Sequence, residues 1–273
     1  MLVDTHCHLN FHSFDDDREE VIGRSRSEGV DRILVPGIDL QTSLEALALT
    51  RKYEEIFAAV GFHPNSSTSW VSKSKSNLDF LNKNVRSEKV VAVGEIGLDY
   101  YRDQSPESTQ KEAFQDQLRF AGEVGLPVVI HSRNLNLEDK RAIMDILEIL
   151  DSWVSWLADQ SNPLRARPGV LHSFSSDAEH AQKAIELGFL IGITGTVTFN
   201  NAAGLRQVVR EVPLEALLIE TDAPFLTPHP YRGKRNEPAY VKFVAERIAE
   251  EKGSAVEAVI EATAANARKL FGW

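Results

Sequence analysis

Eight short apolar runs, spaced along the chain and separated by helical patterns, constrain the fold more than any other feature. They are expected at Leu2–Asp4, Asp31–Val35, Ile56–Val60, Val90–Val93, Val128–Ile130, Val170–Leu171, Phe189–Ile193 and Leu217–Ile219. Most are continuous rather than alternating, as in strands buried on both faces. Between them lie amphipathic stretches such as Glu138–Ala158, with Ile143, Leu147, Leu150, Val154 and Leu157 on one face. Helix boundaries are marked by Gly29 and Gly125, by Ser105-Pro106-Glu107 as a cap and first turn, and by the capping-box spacing of Ser254 and Glu257. Strand–helix alternation implies a parallel sheet with right-handed crossovers. Eight such units in 273 residues, without a linker-like break, fit an α/β (β/α)8 TIM barrel forming a single domain over residues 1–273.

In such a barrel, chemistry collects at the C-terminal ends of the strands. Strand one ends in His6 and His8, strand three in His63, strand four in Glu95, strand five in His131, strand six in His172 and strand eight in Asp222. Five of the eight histidines therefore fall at one end of the barrel, joined by two carboxylates. Residues i and i+2 of a strand point the same way, so His6 and His8 aim at one point while Cys7 points away as a packing residue. Imidazoles and carboxylates without a thiolate cluster suit catalytic metal work. Six ligands are too many for one tetrahedral ion. Two divalent ions (Mg, Mn or Zn) are expected, with Glu95 as bridge, His6, His8 and Asp222 on one ion and His131 and His172 on the other. Asp222 can also serve as general base.

Composition narrows the partners. Net charge is −10, which excludes a general nucleic-acid coat but not a local cationic groove. No signal peptide or membrane span is read, and Cys7, the lone cysteine, allows no internal disulfide, so a cytoplasmic protein is expected. No obligate protein partner is evident.

The motifs also resemble a known family. Asp4-Thr5-His6-Cys7-His8, Gly61-Phe62-His63-Pro64, the run Gly94–Arg102, His131-Ser132-Arg133, His172-Ser173-Phe174-Ser175, the run Glu220–Leu226 and the run Arg232–Pro238 occur in the order found in the TatD metal-dependent deoxyribonucleases, within the amidohydrolase-like barrels. The resemblance implies two divalent ions held by His6, His8, Glu95, His131, His172 and Asp222. It implies hydrolysis of DNA phosphodiester bonds, often from the 3′ end, with His63 near the scissile phosphate. Glu95, Asp222 and His63 are then the catalytic set, and single-stranded DNA or duplex ends the substrate. Arg102, Arg133, Arg232 and Arg235 lie on loops at the same end, with Lys234 beside them, and are expected to contact phosphate. Asn134, where many relatives carry an acid, Ser176, where they carry glycine, and the long segment with Trp153 and Trp156 depart from the pattern. An amidohydrolase or lactonase acting on a small molecule is the alternative use of the same site, and the acidic charge favours it mildly.

Overall fold

The computed structural model describes residues 1–102, 104–136 and 138–273. Among them, eight strands form one parallel sheet in sequence order: β1 Leu2–Asp4, β2 Val30–Pro36, β3 Ile56–Val60, β4 Val90–Asp99, β5 Val128–Arg133, β6 Gly169–Leu171, β7 Leu190–Ile193 and β8 Leu217–Ile219. Each strand pairs in parallel with the next. The helices are α1 Arg18–Ser27, α2 Leu40–Lys52, α3 Ser67–Ser72, α4 Ser74–Asn84, α5 Glu107–Val124, α6 Arg141–Asp159, α7 Ala178–Glu186, α8 Ala203–Glu211, α9 Val241–Lys252 and α10 Val256–Phe271. This is the expected TIM barrel.

The barrel closes just beyond β1 and β8. Thr5 N–H donates to the Ile219 carbonyl, Asp222 N–H to the His6 carbonyl at 2.8 Å, and His8 N–H to the Ala223 carbonyl at 2.7 Å. Buried Asp4 ties the same seam by accepting from the Thr221 N–H at 2.9 Å and hydroxyl at 2.6 Å. The segment carrying His6, His8 and Asp222 is therefore the seam itself, so closing the barrel brings these residues together.

Two apolar layers hold the structure. One cluster lies between sheet and helices and includes Ile33, Val60, Val93, Phe114, Leu118 and Ile143. The other joins Val3, Leu34, Ala59, Ala92, Val129, Val170 and Leu218 to Ala264, Ala267, Leu270 and Phe271 of α10. Strands gripped on both faces read as continuous apolar runs for this reason. Each fully buried aliphatic side chain contributes about 1.5–3 kcal/mol.

Several local expectations differ from the structure. β4 runs to Asp99, well beyond Val93, because its extension pairs with β5 through His131 and Arg133. The serine- and lysine-rich stretch Ser66–Ser76, whose composition reads as loop or a loose helix start, forms helix α3, anchored by fully buried Trp70, and the first turn of α4. The α10 N-cap is Ala255, with no side-chain cap. Ser105 likewise does not cap α5; its hydroxyl lies 3.0 Å from that of Thr68.

Candidate metal centre

Glu95 stands at the middle of the strand ends, only 2 % exposed. Its two oxygens face different partners. Oε2 lies 3.5 Å from His6 Nε2 and 3.7 Å from His8 Nε2. Oε1 lies 2.8 Å from His131 Nδ1 and 3.8 Å from both His172 Nε2 and His63 Nε2. One carboxylate thus serves two clusters, as a bridging ligand must.

The first cluster has the dimensions of an ion site. His6 Nε2 and His8 Nε2 are 3.3 Å apart, and Asp222 Oδ1 lies 3.9 and 3.4 Å from them. Four ligands at about 2.1 Å around a tetrahedral ion stand about 3.4 Å from one another. The His6–His8 distance and the four from these histidines to Glu95 and Asp222 fall between 3.3 and 3.9 Å. Two imidazole nitrogens and two carboxylate oxygens converging this closely are a donor set that a cation satisfies. His6 and His8 have no partner for Nδ1 among the described residues, so stacking holds their rings. His6 lies on His172 with centroids 3.5 Å apart, and His8 on Phe11 at 4.4 Å.

The second cluster is oriented by carboxylates behind it. His172 Nδ1 is 3.0 Å from Glu220 Oε1, which leaves Nε2 facing Glu95. Glu220 is completely buried, and a Cβ at position 192 would stand 2.5 Å from its Oε1, so Gly192 leaves it room. His131 turns Nδ1 toward Glu95 and Nε2 toward Asp99 Oδ2 at 3.3 Å. A Cβ on Gly97 would meet the His131 carbonyl oxygen at 2.1 Å; its absence and the residue's φ of +137° let β4 and β5 approach here. A carboxylate behind a ligand histidine fixes tautomer and ring orientation.

His63 is built differently. Its Nδ1 accepts the Asn65 N–H at 3.1 Å, so in the neutral ring the proton sits on Nε2, pointing at the site. A histidine held this way is a hydrogen-bond donor rather than a ligand, although it stands with Glu95 and His131 in ligand-like proximity. Burial, with help from neighbouring His131, pushes its pKa down to about 3, which keeps it neutral.

Protonation elsewhere follows the same contest between burial and charge. Burial raises the Glu95 carboxyl, but His6, His131 and His63 outweigh it and hold it well below the usual range. Asp222 is lowered too, against burial, by His8, His172 and His6. Burial lowers His172, yet Glu220, Asp222 and Glu95 reverse this and raise it to about 9. Burial and the His172 charge lower His6. Burial raises Asp4 to about 8, against its Thr221 hydrogen bonds. Asp222 has φ +54°, and Ser173, next to His172, φ +46°. Two ligand-bearing turns thus hold left-handed non-glycine backbone, which persists only where its surroundings enforce it.

A barrel whose first, fourth, fifth, sixth and eighth strands deliver this set of candidate ligands matches the TatD related DNase family over residues 3–272. The chain belongs to this family. It is 43 % identical over 271 residues to the uncharacterised metal-dependent hydrolase YabD of Bacillus subtilis, covering 99 % of each chain. It is 35 % identical over 277 residues to the 3′–5′ ssDNA/RNA exonuclease TatD of Citrobacter rodentium, covering 99 % of this chain and 98 % of that one. Among solved structures, the TatD homologue YJJV of Escherichia coli K12 superposes with a TM-score of 0.87 at 32 % identity, over 100 % of this chain and 98 % of that one.

Around the TatD centre the arginines separate. Arg133 stacks on Tyr101, its guanidinium carbon 4.0 Å from the ring centroid, and Arg232 stacks on Phe199 at 3.9 Å. Neither has a carboxylate partner among the described residues. Arg102 is exposed on the loop after β4, and Lys234 lies over Tyr231. Arg235 is the expected phosphate contact that the geometry reassigns. Both its terminal nitrogens are taken by Asp17, at 2.8 and 2.6 Å, and it pins the β8 loop to the turn before α1. Asp99 accepts the backbone N–H of Arg102 rather than its side chain. Trp153 is buried and Trp156 packs against α5 at Gly122, which makes both packing residues.

The sequence pattern gives no role to Asp4 and Thr221, which lock the seam, and reads Glu220, beside Asp222, as a polar core or supporting group. A polar residue inside or just after an apolar strand run was the signal for all three.

Proposed function

We propose that this chain is a two-metal phosphodiesterase that trims nucleic acid from the 3′ end, preferring single strands. The observation that carries the reading is Glu95, with one oxygen toward His6 and His8 and the other toward His131 and His172. His6, His8, Glu95 and Asp222 would hold one ion, and Glu95, His131 and His172 the other. Four imidazoles in the set favour Zn or Mn over Mg. When bound, such ions supply Lewis acidity and make water a nucleophile at neutral pH. The chain's own residues do the rest. His63 donates its Nε2–H to a phosphoryl oxygen, Arg133 and Arg232 bind neighbouring phosphates, and Asp222 takes the proton of the attacking water. The exonuclease names of relatives such as the Citrobacter protein support the substrate class.

The test uses protein loaded with Mn or Zn and end-labelled single- and double-stranded DNA. Wild type should release the 3′ label first. Glu95→Ala and Asp222→Asn should lose activity together with bound metal. His63→Ala should keep its metal and lose about 10- to 100-fold in kcat/KM, as expected for one charge-assisted hydrogen bond. Equal, negligible DNA cleavage by wild type and variants, beside a lactone or amide panel cleaved only by wild type, would overturn the proposal in favour of small-molecule hydrolysis.

A further inference from the structure

Phe225 stands three residues beyond Asp222 and is 51 % exposed. A single exposed apolar side chain is ordinary, but this one is fixed in place. Its N–H donates to the Asp222 carbonyl at 2.9 Å. Its carbonyl accepts from Nδ2 of fully buried Asn236 at 2.6 Å, and the same Nδ2 reaches the Thr221 carbonyl at 2.8 Å. Left-handed backbone at Asp222 and at Leu226, φ +54° and +53°, brackets the turn. A branched residue such as leucine adopts this conformation only where the surroundings impose it. The loop is therefore built to hold Phe225 out at the mouth.

Its neighbours form an aromatic corner around a metal ligand. Phe11 lies flat on His8, and Phe225 meets Phe11 at 6.2 Å and His8 at 6.3 Å, steeply inclined to both. Two other aromatic rings at this end already carry a cation on one face: Arg133 lies over Tyr101 and Arg232 over Phe199. Among the described residues no cation lies over Phe225. A flat, apolar, rigidly presented face beside a centre that grips a phosphodiester asks for a flat apolar group one nucleoside away from that phosphate.

We infer that Phe225 is a stacking platform for one of the two nucleobases flanking the scissile phosphate. This rests on the nuclease reading and adds to it a positioning residue and a reason for strand selectivity. Stacking is indifferent to base identity but needs a free base face, which an unpaired end offers and an intact duplex does not.

The experiment uses the full chain loaded with Mn, one single-stranded oligonucleotide sequence, and two copies carrying an abasic residue at the 3′-terminal or the penultimate position. Wild type should lose about tenfold in kcat/KM, mainly through KM, on one of the two abasic strands. Phe225→Ala should show the same loss on the intact strand and no further loss on that abasic strand, whereas Phe225→Tyr should behave as wild type. If Phe225→Ala falls equally on intact and both abasic strands, or not at all, the stacking inference is overturned while the nuclease reading stands. If wild type cleaves none of the strands, both fall.

Discussion

In the proposed centre, the proton on His172 is one that a cation must displace. With its pKa raised to about 9 by Glu220, Asp222 and Glu95 against burial, the ring is protonated at neutral pH until a cation displaces the proton. The sign follows from linkage. Because the folded pKa exceeds the unfolded one, the imidazolium stabilises the metal-free protein fully below about 6.5, and this is lost as pH rises through about 9. Metal binding needs the His172 and His131 rings both neutral, and Asp99 and Glu95 raise His131 against burial as well, so apparent affinity at this half of the centre should rise at least tenfold per pH unit up to about 9. The thermal shift between metal-loaded and chelator-treated protein should therefore widen from pH 6.5 to 9. Asp4, also raised, titrates in both forms and cancels in the difference. Glu220→Gln keeps an acceptor for Nδ1 but removes the charge, so it should flatten the dependence above pH 7. An unchanged slope in that variant would sink the assignment of Glu220 as the group that sets it. At this scale the sequence was legible for ligand identity, since histidines and acids ending apolar strands are conspicuous. It was not legible for the tautomer of His63, which rests on one backbone N–H two residues away, or for Arg235, whose partner Asp17 is far off in the chain.

Elements legible in the sequence were those whose ends coincide with a change from apolar to polar. The eight strands met that condition. α8 and the second half of β4 did not, because their pairing and packing partners lie elsewhere in the fold. Asn134 shows how a departure from the family pattern can belong to the element scale. Its Oδ1 accepts the N–H groups of Ala142 and Ile143, at 3.0 and 3.3 Å, on the first turn of α6. The helix has no side-chain cap at its own N-cap residue, Lys140. A residue seven positions upstream of the helix thus satisfies orphan donors that local spacing cannot reveal. Asn134→Ala should cost about 1 kcal/mol, the usual worth of a cap, and lower Tm by about 2–3 °C in calorimetry. Asn134→Asp, with an equivalent acceptor, should stay within about 0.5 kcal/mol of wild type. An alanine variant as stable as wild type would mean that solvent caps this helix just as well.

On the scale of the whole molecule, a net charge of −10 stands against the polyanionic substrate proposed for it. The two are compatible only if attraction is local and brief. Arg133 and Arg232 are held by aromatic rings at the mouth, while Arg235 and Arg24 are already spent on Asp17 and Glu237. With Arg102 the available phosphate contacts number two or three. Each contact to a single strand contributes a slope of about −0.7 in log K against log salt. Between 50 and 200 mM salt, KM for an oligonucleotide should therefore rise only about tenfold, and Arg133→Ala or Arg232→Ala should each reduce that slope by about 0.7. A rise of about 10³-fold would demand about seven contacts and an extended basic groove. A slope of zero would return the balance to a small uncharged substrate. The intermediate value is the signature of an acidic barrel that engages a strand at its end and along only a few phosphates.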